Sequence, residues 1–322
     1  MKRIIALLVL PVCALVLSAH ERASAISTGD DVVGNVTSVF KQPPQNGAMR
    51  PNSGDADQTR LIRSFQSDLG PGLNESPERV PVAAFPWIVV LAESRRPAQE
   101  GYICAGVLIA PDWVLTAAHC TVARTRGWPV DPEIHILTKT SALETPGPIA
   151  AVTRIVPHPD YNVRTQANDI ALLKIDAKGA AGIMPLRLEG PPIKDREGAI
   201  AQILGWGVSN KSLLQTARGE HLQILQAAIV GARCFSSGNY AKLRGTGVFC
   251  AESVLKFHDT CYRFGGGPVL LHDAAGEDYL GGLVSWSAIC PPNVRKPNIY
   301  LDVQAYLPWI KGVIGGAAGS SP

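Results

Sequence analysis

Trp113-Val-Leu-Thr-Ala-Ala-His-Cys120 and Asn168-Asp-Ile-Ala-Leu-Leu-Lys174 are the stretches whose reading decides the fold of this chain. In the first, a β-prone apolar run ends on small residues, a histidine and a cysteine, with another cysteine, Cys104, in the preceding strand. In the second, an acidic residue stands immediately before an apolar run. A carboxylate at the entry of a buried strand is costly unless something donates to it. An imidazole is the obvious donor. Taken singly, each string has an ordinary explanation, because a lone histidine is more often structural than catalytic and aspartate is a common turn residue. Together they make His119 and Asp169 a candidate pair.

Outward from these strings, Val82 to Ile314 is a series of short β-rich runs separated by Gly, Pro, Asn and Asp. The runs are Trp87–Leu91, Tyr102–Ile109, Trp113–Thr116, Ile134–Thr138, Ala151–Val156, Ile170–Lys174, Ala201–Gly205, Leu222–Ile229, Gly247–Cys250, Val269–His272, Tyr279–Ser285 and Ile299–Val303. Strands at this spacing read as an all-β barrel or sandwich, and no βαβ alternation appears. One terminal segment breaks the pattern. Val303, Tyr306, Leu307, Ile310 and Val313 recur at helical spacing, which predicts an amphipathic helix closed by Gly315-Gly316.

Before the β-rich region the texture differs. Lys2 and Arg3 precede the apolar run Ile4–Leu17, and small residues follow, which reads as a signal peptide over 1–25 cleaved after Ala19 or Ala25. The run is shorter than the ~20 apolar residues of a spanning helix, so no membrane anchor is expected in the mature form. Export to an extracellular or periplasmic space follows. Residues 26–79 form a polar pro-segment or linker, 80–316 the folded domain and 317–322 a flexible tail. An apolar fraction of 46% with 18% charged residues excludes wholesale disorder of the chain. A net charge of +3 without a Lys/Arg block gives no nucleic-acid footprint. Of seven cysteines, Cys13 leaves with the signal. The other six allow fifteen pairings, which arithmetic cannot resolve. No metal-ligand spacing or phosphate-binding glycine loop stands out, and no cofactor is expected.

Taken with their neighbours, the two strings resemble the chymotrypsin/trypsin family of serine endopeptidases. The likeness runs from about residue 84 to 314. It includes Phe85-Pro86-Trp87, Cys104-Ala-Gly, Leu204-Gly-Trp-Gly207, Val284-Ser-Trp286, Lys296-Pro297 with Tyr300, and Tyr306 with Trp309-Ile310. The resemblance implies two six-stranded antiparallel barrels packed face to face, with a C-terminal helix on the second. It implies disulfides Cys104–Cys120, Cys234–Cys250 and Cys261–Cys290, each contributing ~2–4 kcal/mol when unstrained. It implies His119 as general base, oriented by Asp169. A monomer acting on a protein or peptide ligand (a protease, a substrate or an inhibitor) is expected.

The nucleophile loop departs from the family pattern C-x-G-D-S-G-G-P. Here it reads Cys261-Tyr-Arg-Phe-Gly-Gly-Gly-Pro268, so the serine position is Gly265. Arg263 replaces the glycine whose N–H serves the oxyanion hole. Phe264 replaces the aspartate that pairs with the new N-terminus after activation cleavage, and the I-V-G-G start is also absent. Arg79-Val80 is the nearest cleavage candidate and lies too close to Trp87. In the substrate pocket the resemblance places Asp259 at the base and Ser285-Trp286 on the strand that binds substrate backbone. Ser287 and Asn298 replace the two wall glycines, so the pocket is expected to be narrowed, with Asn298 or Arg263 capping Asp259. The expectation is a proteolytically inactive homologue that binds proteins or peptides. Its rival is a working endopeptidase with Arg/Lys preference, and a third reading is a scaffold that never uses the groove. The retained His119–Asp169 hydrogen bond is expected to help hold the two barrels together.

Overall fold

The computed structural model describes residues 78–122, 133–207, 221–235, 243, 245–254, 263–286 and 297–318. Strands β2 (Ile88–Glu93), β3 (Tyr102–Ala110), β4 (Trp113–Thr116), β5 (Ile134–Leu137), β6 (Ile149–Pro157) and β7 (Ala171–Ile175) close into one antiparallel barrel in the order β2-β3-β4-β7-β6-β5. Strands β8 (Ile200–Gly205), β9 (Gln223–Val230), β10 (Val248–Ser253), β11 (Pro268–His272), β12 (Asp278–Trp286) and β13 (Asn298–Asp302) form the second. It runs β8-β9-β10-β13-β12-β11 and returns to β8. The two six-stranded barrels match the sequence expectation, and each predicted strand lies within three residues of its observed ends.

The burial pattern explains why several strands read as solid apolar runs rather than alternations. Ile88 through Ala92 are all fully buried, and so are Leu172 and Leu173. Their inward side chains fill the first barrel, while their outward ones are covered by packing outside it. A sheet covered on both faces has no polar face to alternate with. Among the described residues Trp113, in the first barrel, and Trp206, just after β8, are the largest fully buried side chains.

Two boundaries differ from the sequence reading. Glu78–Arg79 form a short strand, β1, pairing with Ile224 and Gln223 of β9. Val80 then donates to Leu222 O at 3.0 Å, and the side chains of Val80 and Val82 are buried. The folded domain therefore includes residues assigned above to the polar segment. Two exposed polar residues carry no strand signal, and only β9 makes them one. At the other end the helix spans Val303–Ala318 and is not closed at Gly315-Gly316. Neither glycine adopts a positive φ, so no left-handed residue reverses the chain there. Asp302 Oδ1 accepts from Gln304 N at 3.0 Å and caps the helix start, which is why β13 stops one residue short of Val303. The signal segment, residues 26–77, Asp259, Cys261, Ser287, Cys290 and residues 319–322 lie outside the described residues. No helix among the described residues is long and apolar enough to cross a membrane.

The C-terminal helix is tied to the first barrel by Tyr306. Its hydroxyl lies 3.1 Å from both Asn168 Oδ1 and Thr246 O. The ring packs edge-on against His158. Burial, with Asp169 and Asp302 nearby, pushes the Tyr306 phenol up to about 12. Replacing Tyr306→Phe keeps the ring and removes the hydroxyl. It is expected to cost about 1 kcal/mol in a urea unfolding titration.

Candidate active-site pair and the loop facing it

His119 sits in the 3₁₀ turn Ala118–Cys120 directly after β4. The turn is pinned on both sides. Thr116 Oγ1 donates to Ala105 O at 2.8 Å, and Cys120 is disulfide-bonded to Cys104 of β3. Asp169 precedes β7 and is fully buried. The residue before it, Asn168, has φ +54°, a left-handed conformation that asparagine tolerates better than most. Its Nδ2 donates to Asp160 O, which leaves Oδ1 to accept from Tyr306.

Three donors converge on the Asp169 carboxylate. His119 N donates to Oδ1 at 2.7 Å. His119 Nδ1 and Oδ2 are 2.8 Å apart, and Ser285 Oγ donates to Oδ2 at 2.6 Å. The histidine side chain is 12% exposed. With Nδ1 committed to Asp169, Nε2 faces Gly265. Its neighbours there are the sulfurs of Cys120 and Cys104, at 3.5 and 3.8 Å. His119 and Asp169 both belong to the first barrel, so their bond does not join the barrels, contrary to the expectation above. Ser285, at the end of β12, makes that link on the same carboxylate. Sequence reasoning placed Ser285 with the substrate-binding strand and missed its hydroxyl. Its partner lies 116 residues away, and nothing local marks it.

The loop Arg263–Gly267 is brought against this pair. A Cβ at Gly265 would lie 2.8 Å from His119 Nε2 and 3.4 Å from Cys104 Sγ. Residue 265 therefore points at the imidazole nitrogen, and it has no side chain. Gly266 has φ +70°, and a Cβ there would meet Thr116 Oγ1 at 2.3 Å, so only glycine fits. Gly265 O accepts from Ala105 N at 2.9 Å, while Gly266 N donates to Val284 O at 2.8 Å. These bonds span both barrels.

Arg263 adopts φ +63°, which costs a side-chain-bearing residue roughly 1–2 kcal/mol. Its guanidinium lies 5.7 Å from the Tyr102 ring centroid and donates to Gln99 O at 3.5 Å. Tyr102 returns a bond, its hydroxyl donating to Arg263 O at 2.7 Å. Burial pushes the Tyr102 phenol well up, partly offset by the Arg263 charge. Nothing in the sequence marks Tyr102 beyond its strand signal. Phe264 is fully buried among Ile203, Val269, Leu271, Tyr279 and Tyr300, with its ring against Gly205. Asn298 is buried at the start of β13, opposite Ala251. Trp286 ends β12.

The structure pairs Cys104 with Cys120 and Cys234 with Cys250. The donor atoms of Cys104, His119 and Cys120 lie within 4.8 Å of one another. Both sulfurs share one disulfide, however, and a metal would need thiolates.

Comparison with known proteins agrees with this architecture. The Trypsin family pattern matches residues 77–310. The chain is 29% identical to granzyme M of Rattus norvegicus over 220 residues, covering 67% of this chain and 81% of that protein. It is 28% identical to kallikrein-15 of Homo sapiens over 265 residues, 78% of this chain and 94% of that protein. It is also 29% identical to coagulation factor XII of Sus scrofa over 296 residues, 86% of this chain and 45% of that protein. The chain belongs to the trypsin family of serine proteases.

The environment of Phe264 makes a sharp prediction. Restoring the family acid as Phe264→Asp buries an unpaired carboxylate. It is expected to cost on the order of 3 kcal/mol in denaturant unfolding at neutral pH. The buried acid's pKa is raised, so the unfolded chain ionises first. The deficit should therefore grow as pH rises above ~4. A stabilising substitution would place a cationic partner beside residue 264.

Proposed function

We propose that this chain is an exported, non-catalytic member of the trypsin family. On this reading it holds protein or peptide segments in the groove between its barrels, as a monomer, without cleaving them. Gly265 carries the proposal. The residue pointing at His119 Nε2 offers no atom to attack a carbonyl. Loss of a triad member leaves a residual ~10³–10⁴-fold rate over water only when the oxyanion hole is intact. Losing one hole donor costs a further ~10²–10³. Here the residue at the hole position is Arg263, and the residue at the activation position is Phe264, packed in the core. Export is supported by the signal-like N-terminus and by disulfides, which persist in oxidising compartments.

A second reading, an active endopeptidase with Arg/Lys preference, is favoured by the intact His119–Asp169–Ser285 assembly and by Asp259 in the sequence. A fluorophosphonate probe separates the two, because it labels only an activated serine. Purified mature protein should remain unlabelled. Gly265→Ser should also remain unlabelled, because Arg263 and Phe264 are unchanged beside it. Labelling of the unsubstituted protein would overturn the proposal. Labelling of Gly265→Ser alone would mean that only the nucleophile had been lost.

A further inference from the structure

We infer that residues 78–82 are a clasp that locks the start of the folded domain, so that Arg79–Val80, the activation-like bond of this chain, is not cut in the folded protein and no Arg-specific cleavage there switches it. This holds whatever the site beside His119 binds.

Arg79 is the one Lys or Arg between Arg63 and Arg95, so an endopeptidase of that preference has a single bond to address at this boundary. The Arg79 side chain is exposed, and by side chain alone the bond looks open to attack. The backbone decides otherwise. Glu78 and Arg79 pair with Ile224 and Gln223 of β9. Val80 N donates to Leu222 O at 3.0 Å, and Val82 N donates to Ser141 Oγ at 3.1 Å. Pro81, between them, has no N–H to leave unserved. The side chains of Val80 and Val82 are buried. Directly downstream the chain bends into the 3₁₀ turn Val82–Ala84, with Phe85 N donating to Val82 O at 2.9 Å.

Ser141 closes the clasp. Its Oγ accepts from Val82 N, and its carbonyl accepts from Leu222 N at 2.7 Å, while Leu222 O accepts from Val80 N. Ala142 and His221 form a β-bridge beside these bonds. Three segments far apart in sequence therefore hold one another: the start of the domain, the loop between β5 and β6 of the first barrel, and the entry to β9 of the second. Proteolytic nicking favours exposed chain whose backbone is not hydrogen-bonded. A bond held as Arg79–Val80 is held is cut only from a locally opened state, at a rate that follows the population of that state. A new N-terminus made here would also find no counter-charge at Phe264, which is packed in the second core.

The test uses trypsin as the probe. The full chain and a synthetic peptide of residues 74–84 are exposed to the same dilute enzyme, and new N-termini are labelled and identified by mass spectrometry at early times. The peptide serves as the unstructured reference for the bond after Arg79. The protein should be cut there at least roughly a hundredfold more slowly, the combined weight of two hydrogen bonds and two buried valines. A smaller gap would overturn the clasp. Ser141→Ala, with its thermal midpoint checked, removes one acceptor and should quicken cleavage after Arg79 by roughly twofold to tenfold. An unchanged rate in folded Ser141→Ala would overturn the role given to Ser141. Amide hydrogen exchange in the unsubstituted protein needs no variant. Val80 and Val82 should both be protected, and exchange of either at the rate of unstructured chain would contradict the inference.

Discussion

The Asp169 carboxylate is the constraint on which the rest of the site depends. A fully buried charge is tolerable only when hydrogen-bonded. Its donors come from the turn after β4 and from the end of β12. Satisfying them fixes the orientation of His119 and holds the second barrel against the first. The Asn168 amide and the Tyr306 hydroxyl extend the same arrangement to the C-terminal helix. Removing the aspartate would strand three donors at once. This gives a structural reason for the pair to be present whether or not a nucleophile stands opposite.

The loop opposite is a different matter. Its backbone keeps the turn, with positive φ at residues 263 and 266 and bonds to both barrels. Its side chains do other work. Phe264 contributes apolar burial to the second core, where the family has an ion-pairing aspartate. Arg263 bridges to Tyr102 and Gln99, and Gly265 contributes nothing beyond its backbone. Each change is accommodated locally by packing or hydrogen bonding. On the proposed reading the scaffold for peptide binding is thereby retained while its chemistry is lost.

Most of the fold was legible because barrel strands are short, apolar and punctuated by turn residues. The pair His119 and Asp169 was legible from two strings that mean little apart. Gly265 could be placed because Gly266-Gly267-Pro268 fixes the register of the loop. What was illegible depends on distant partners. Strand β1 exists only against β9. Ser285 acquires its role from a carboxylate on the other barrel, and Tyr102 acquires its role from Arg263. The helix end was misplaced because a glycine pair ends a helix only when one of them turns left-handed, and composition does not report φ.

The most direct test of the central claim is hydrolysis of a peptide ester with Arg or Lys before the scissile bond. Purified mature protein is assayed beside a His119→Ala variant. The account predicts that both match the buffer rate. Hydrolysis by the unsubstituted protein that disappears in His119→Ala would contradict it, because the imidazole would then be serving a nucleophile that Gly265 does not provide.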